Sequence, residues 1–170
     1  IPKKIMAVKT NAQLAAFFNT GDQPSETEFG HLIDTIQPPS VTLGDENKTL
    51  NAADHAFRTL IMPNISGART ITLPTPVLDV WYHIIHLPLV QDGHDLIFRA
   101  ADETNFFEGS IINHNIGGAT TAQFGDGSTF DLITLPTSSH LDLWLYGKSS
   151  TIYYMWGHAV SDTNIAVTDG

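Results

Sequence analysis

The chain has 170 residues, a formal net charge of −10 and 15% charged residues, against roughly 25% in an average soluble protein. That length suits one domain with a real core, and the acidic balance argues against a nucleic-acid partner. No run approaches the roughly 20 apolar residues of a membrane span, and the absence of cysteine excludes a disulfide framework or a thiolate metal site.

So little charge in a chain rich in Thr, Asn and Gly points to a surface partly hidden in an assembly. The basic residues cluster at the start, where Lys3, Lys4 and Lys9 precede the first patterned segment. Without an apolar stretch behind them they read as an arm lying on an acidic surface, not as a targeting peptide.

Residues 1–39 are read as this arm followed by a helical hairpin. Thr10 and Gln13 form a capping box that opens a helix through Leu14, Phe17 and Phe18, and Asn19-Thr20-Gly21-Asp22 ends it. Ser25 and Glu28 form a second box. Phe29, Leu32, Ile33 and Ile36 then recur at i, i+3, i+4 and i+7, an apolar stripe stopped by Pro38-Pro39. Two helices this short are not stable alone in water. The stripe needs cover from the chain's own β-domain, from copies of itself or from another protein.

Residues 40–160 read as strands. Ser40 to Leu43 and Thr49 to Asn51 flank a turn at Gly44 to Asn47, and Phe57 to Met62 ends at Pro63-Asn64. Thr70 to Leu73 alternates polar and apolar, Pro74 and Pro76 punctuate, and Trp81 to Leu87 follows as the next strand. Leu96 to Ala100 and Gly109 to Asn113 come next, and Gly125-Asp126-Gly127 signals a hairpin. Phe130 to Leu135, Leu141 to Tyr146 and Thr151 to Ala159 complete the series, and residues 161–170 read as an extended tail. The expected fold is mainly β: an antiparallel sandwich, jelly-roll-like or barrel domain preceded by the helical hairpin.

Candidate chemistry is sparse. His83 and His86 have a metal-like spacing, but residues three apart on a strand point to opposite faces. Asp92-Gly93-His94-Asp95 and Asp126-Gly127 lack the regular oxygen spacing of a calcium loop and read as turns. Asp102 and Glu103 are adjacent carboxylates that diverge on an extended chain, with no identifiable partner across a cleft. There is no nucleophile elbow, P-loop or dinucleotide fingerprint. The expectation is therefore a non-enzyme without cofactor or metal. Trp81, Tyr82, Trp144, Tyr146, Tyr153, Tyr154 and Trp156 include the makings of a sugar platform. Aromatics at alternate strand positions more often pack, however, and Trp81, Trp144, Tyr154 and Trp156 are assigned to the core or to contacts between subunits.

The hairpin TNAQLAAFFNTGDQPSETEFGHLIDTI resembles N-terminal segments of bacteriophage fibre and other virion proteins. The order TLNAADHAFRTLIMP, ARTITLP, WYHIIHL, DGHDLIFRA, EGSII and TIYYMWGHAV is similar to that of phage capsid decoration proteins, also called cement or head-fibre proteins. Val80-Trp81-Tyr82 departs from the smaller turn expected there. The resemblance implies a homotrimeric virion protein on the outer capsid surface, clamping neighbouring major capsid subunits. Lys3, Lys4, Lys9, Phe17, Phe18, Phe29, Leu32, Ile33 and Ile36 would then be the capsid-binding residues. Two alternatives are a fibre domain that recognises host surface glycan and a tailspike-like hydrolase with its site between subunits.

Overall fold

The computed structural model describes residues 16, 25–36, 40–87, 93–136, 140–161 and 163–170, with side chains excepted at 33–36. The first helical segment, with Lys3, Lys4, Lys9, Phe17 and Phe18, lies outside the described residues. So do Gln91 and Asp92.

Helix α1, Glu26–Ile36, begins at the second capping box. The Ser25 N–H donates to Glu28 Oε2 (2.7 Å), and the Glu28 N–H donates back to Ser25 Oγ (3.3 Å). Strands β1, Val41–Thr42, and β2, Lys48–Thr49, follow. The short helix α2, Ala52–His55, is capped by Asn51, whose side-chain oxygen accepts from the Asp54 N–H at 2.8 Å. Then come β3, Thr59–Met62; β4, Arg69–Thr72; β5, Trp81–His86; and β6, Leu96–Arg99. The second half holds β7, Phe106–Asn115; β8, Thr121–Asp126; β9, Leu132–Leu135; β10, His140–Gly147; β11, Ile152–Ser161; and β12, Ala166–Thr168.

These strands form a β-sandwich of two mixed sheets: a seven-stranded sheet, β1-β3-β5-β10-β11-β7-β8, and a five-stranded sheet, β12-β9-β6-β4-β2. The expectation of antiparallel sheets is corrected. The first six strands alternate between the sheets, so each strand lies parallel to the one two before it, with Val41, Leu60 and Ile84 in register in one sheet and Lys48, Ile71 and Phe98 in the other. Parallel neighbours need a crossover, and here the opposite sheet supplies it. The proline segment after β4 is one such crossing, so β4 and β5 are not a hairpin. Nor is Gly125-Asp126-Gly127 a hairpin turn, because β8 pairs with β7 in the large sheet and β9 pairs with β6 in the small one.

The later strands are mostly antiparallel. β10 inserts between β5 and β11, antiparallel to both, while β11 runs parallel to β7 over its full length. The close approach of β7 and β11 requires Gly109: at φ 118, a Cβ there would stand 2.1 Å from the Met155 carbonyl oxygen. The expected tail is not free-running. β12 pairs with β9 as the edge of the small sheet, and Ile165 and Val167 are buried.

Between the sheets lies the core. Leu60, Tyr82, Ile84, Leu143, Leu145, Met155 and Phe107 face Ile71, Leu73, Leu96, Phe98, Ile133 and Leu135. Tyr153 is buried with them, and its hydroxyl donates to the Pro74 carbonyl at 2.9 Å. Among the described residues, the buried hydrophobics begin at Leu43, and none comes from α1.

The aromatic face as candidate functional site

A sheet face is written by every second residue. On the inner side of β10 and β11 stand Leu141, Leu143 and Leu145 and Tyr153, Met155, Gly157 and Ala159, all buried. The outer side therefore receives Asp142, Trp144 and Tyr146 and Tyr154, Trp156 and His158. Cross-strand pairing assembles these into rows. One row runs Thr59, His83, Trp144, Trp156, Ser110, Phe124; the next runs Trp81, Tyr146, Tyr154, Glu108, Asp126.

The rings touch in sequence. Phe57 meets Trp81 edge-on at 6.0 Å, and Trp81 lies tilted against Trp144 at 5.4 Å. His83 stacks on one side of Trp144 at 4.0 Å and 12°, and Trp156 lies parallel on the other at 5.8 Å and 4°. Tyr154 leans on Trp156 at 5.8 Å. Neighbouring strands are about 4.8 Å apart, so rings stacked between them stand upright and turn their edges outward. Among the described residues, no ring stacks on the face of Trp156 towards the small side chain of Ser110.

This placement takes the four rings out of the core, one of the two places expected for them, the other being contacts between subunits. Trp156 and Tyr154 are each 42% exposed, and Trp81 and Trp144 are half-buried on the outside of the sheet. The reason is hydration. Large apolar side chains are available in both phases, but the inner phase holds no charged group, whereas the outer one carries Asp142 and His158, whose burial would cost their hydration. The polar companions Asp142 and His158, which alternate in phase with Trp144 and Trp156, were the available signal that this side faces out.

The charged groups on the face are satisfied within the chain. Lys148 Nζ donates to Glu108 Oε1 and Oε2 at 2.7 and 2.6 Å. Asp142 Oδ1 lies 2.8 Å from His83 Nε2, whose other ring nitrogen is 3.1 Å from Thr59 Oγ1. The Tyr146 hydroxyl donates to Asp79, which pushes the phenol pKa up. Asp126 accepts from the N–H groups of Ser128 and Thr129 at 2.8 and 2.9 Å, which holds its carboxyl far below the usual range. His114 Nε2 lies 3.4 Å from His158 Nδ1.

The other sequence candidates are not brought together. His83 points outward and His86 is buried on the opposite face. Asp102 and Glu103 line a hollow of about 420 Å³ with Arg99 and Asp131. Asp102 accepts from Thr104 Oγ1 (2.6 Å), the Thr104 N–H (2.8 Å) and Asn105 Nδ2 (2.7 Å), and these bonds, Thr104's first, lower its pKa. A glycosidase acid needs the opposite shift. Phe29 is 49% exposed and Leu32 is half-buried; Ile33 and Ile36 belong to α1, with their side chains outside the described part.

Comparison with family models, curated proteins and solved structures finds no match to this chain.

Proposed function

We propose that this chain is a structural protein of a bacteriophage virion, one that decorates and stabilises the outer surface of the capsid as a trimer bound across neighbouring major capsid subunits. The observation that carries the reading is the division of the chain. Among the described residues the buried hydrophobics begin at Leu43, and α1 before them presents Phe29 half exposed. A helix with an apolar stripe, set ahead of a domain that fills its own core, suits an anchor on another protein. The order of the sequence segments, similar to that of decoration proteins, supports the capsid as that partner.

The test is the double substitution Phe29→Asp, Leu32→Asp in the full chain. Co-sedimentation with capsid shells should be lost while the melting temperature stays within about 2 °C, since neither residue belongs to the buried core. Retained co-sedimentation would overturn the reading, and so would a variant that unfolds. The exposure of Trp156 and Tyr154 favours a second reading, a fibre domain that recognises host surface glycan. Binding to a glycan array by protein that does not attach to shells would select it.

A further inference from the structure

We propose that a second copy of this chain covers the aromatic face, packing apolar side chains against the outward edges of the His83–Trp144–Trp156 stack. The inference rests on the reading of the protein as a self-assembling shell component, and it names the surface where the copies meet.

The first argument is area. Trp156, Tyr154 and Phe124 are 42, 42 and 66% exposed, which amounts to roughly 300 Å² of aromatic surface. That is already the scale of the largest apolar patch on an ordinary monomer, with the half-buried Trp81, Trp144, Ile85 and Ile112 still to add. A stable contact needs about 800 Å² from each partner, and one continuous sheet face is of that order.

Charge is the second. Two copies at −10 each repel, so they can meet only where the surface is locally neutral. The row Thr59, His83, Trp144, Trp156, Ser110, Phe124 holds no carboxylate or ammonium group, and Glu108 in the next row is neutralised by Lys148, whereas Asp79, Asp126 and Asp142 lie off that central row. The histidines His114, His140 and His158 lie at the margin of the face, beyond the ring stack.

The third is ring orientation. A pyranose stacks on an open aromatic face, but Trp144 has His83 on one face and Trp156 on the other, which leaves open only the Ser110 side of Trp156, with Phe124 next along the row. Edges and upright side chains interdigitate with another protein surface instead. Exposed apolar groups also stand at both ends of the face, Ile61 and Leu87 on the β3–β5 side and Phe124 on the β8 side. One end of a copy can therefore meet the other end of the next, which is the heterologous contact that closes a ring.

The experiment is sedimentation velocity on the full chain at micromolar concentration, comparing the wild type with Trp156→Ser, Phe124→Ser and Phe29→Ser. The wild type should sediment as an oligomer. Both face variants should weaken association at least tenfold, towards the 18.6 kDa monomer, with unchanged far-ultraviolet circular dichroism. Phe124 is the more exposed of the two, so its variant keeps the test sound if Trp156→Ser fails to fold. Phe29→Ser should remain assembled. Face variants that stay assembled overturn the inference, as does dissociation by Phe29→Ser alone, which would place the contact at the helix. Loss of cellohexaose binding by Trp156→Ser with association intact would make the face a sugar site and overturn it too. A wild-type monomer that still co-sediments with shells overturns this inference and leaves the decoration reading standing.

Discussion

Asp126 shows how much a single side chain can do where the chain changes sheets. Its two oxygens accept four hydrogen bonds, from the N–H and hydroxyl groups of Ser128 and Thr129, all between 2.8 and 2.9 Å. The charged form is the one being held, so the native pKa is lowered, by the Ser128 and Thr129 backbone bonds first. A group with a depressed native pKa contributes stability that is present above its unfolded value, about 3.9, and is lost as the pH falls through the native one. Asp126→Asn should therefore be less stable than the wild type at pH 7, with the difference closing below about pH 4. Denaturant midpoints at pH 7, 4 and 2.5 check this. A difference that stays constant across them would show that the carboxylate charge is not what the turn uses. Asp102 is shifted the same way by bonds within its own turn, and Asp45 by Ser66 and Arg69 from a distant part of the chain, so the wild-type acid transition will flatten only in part. That Asp126 marks a turn was legible in the sequence, because Asp followed by Gly and Ser caps its own backbone. That the Asp126 turn crosses between sheets was not, since the same capping serves a hairpin and a crossover alike.

At the scale of elements, alternation located the strands well. The stretches around β3, β4, β5, β6, β10 and β11 lie within a few residues of the expected runs. Alternation says nothing about partners, however. Parallel and antiparallel neighbours share a period of two, and only the length and path of the connections separate them. The last strand was missed for another reason: Ile165 and Val167 are just two apolar residues in a polar segment, too few to show a period. Yet they are 2% and 9% exposed, and the Asp131 and Thr168 backbones bond at 3.1 Å beside them. Ile165→Ala should cost about 2–5 kcal/mol by leaving a cavity under the edge strand. A change below about 0.5 kcal/mol in urea unfolding would mean that the segment is a loose tail after all. The aromatic face divides along the same line. The phase of Trp144 and Trp156 could be read from the sequence, and Asp142 and His158 in the same phase signalled that it faces out, but large rings at alternate positions suited a buried face as well.

For the whole molecule, the decisive question is whether residues before 40 belong to the fold or to its attachment. The pairing argues for attachment. β1 bonds to β3 and β2 to β4, so among the described residues the first strands and the first buried hydrophobic, Leu43, come after the proline pair. Deleting residues 1–37 should then leave a cooperative, β-rich protein whose melting temperature is within a few degrees of the full chain, because no described core contact is removed. Attachment to shells should be lost. On the proposed reading, shell binding by the full chain should also weaken at high salt, since Lys3, Lys4 and Lys9 would supply screened contacts to an acidic shell. Melting and shell co-sedimentation of the deletion, measured side by side, give separate answers. A folded deletion that still binds shells places the capsid contact on the sandwich, and an unfolded one makes the hairpin part of the core. If instead it folds, fails to bind shells and still self-associates, anchor and assembly surface are distinct, as an anchoring helix and an aromatic sheet face on different parts of the chain require.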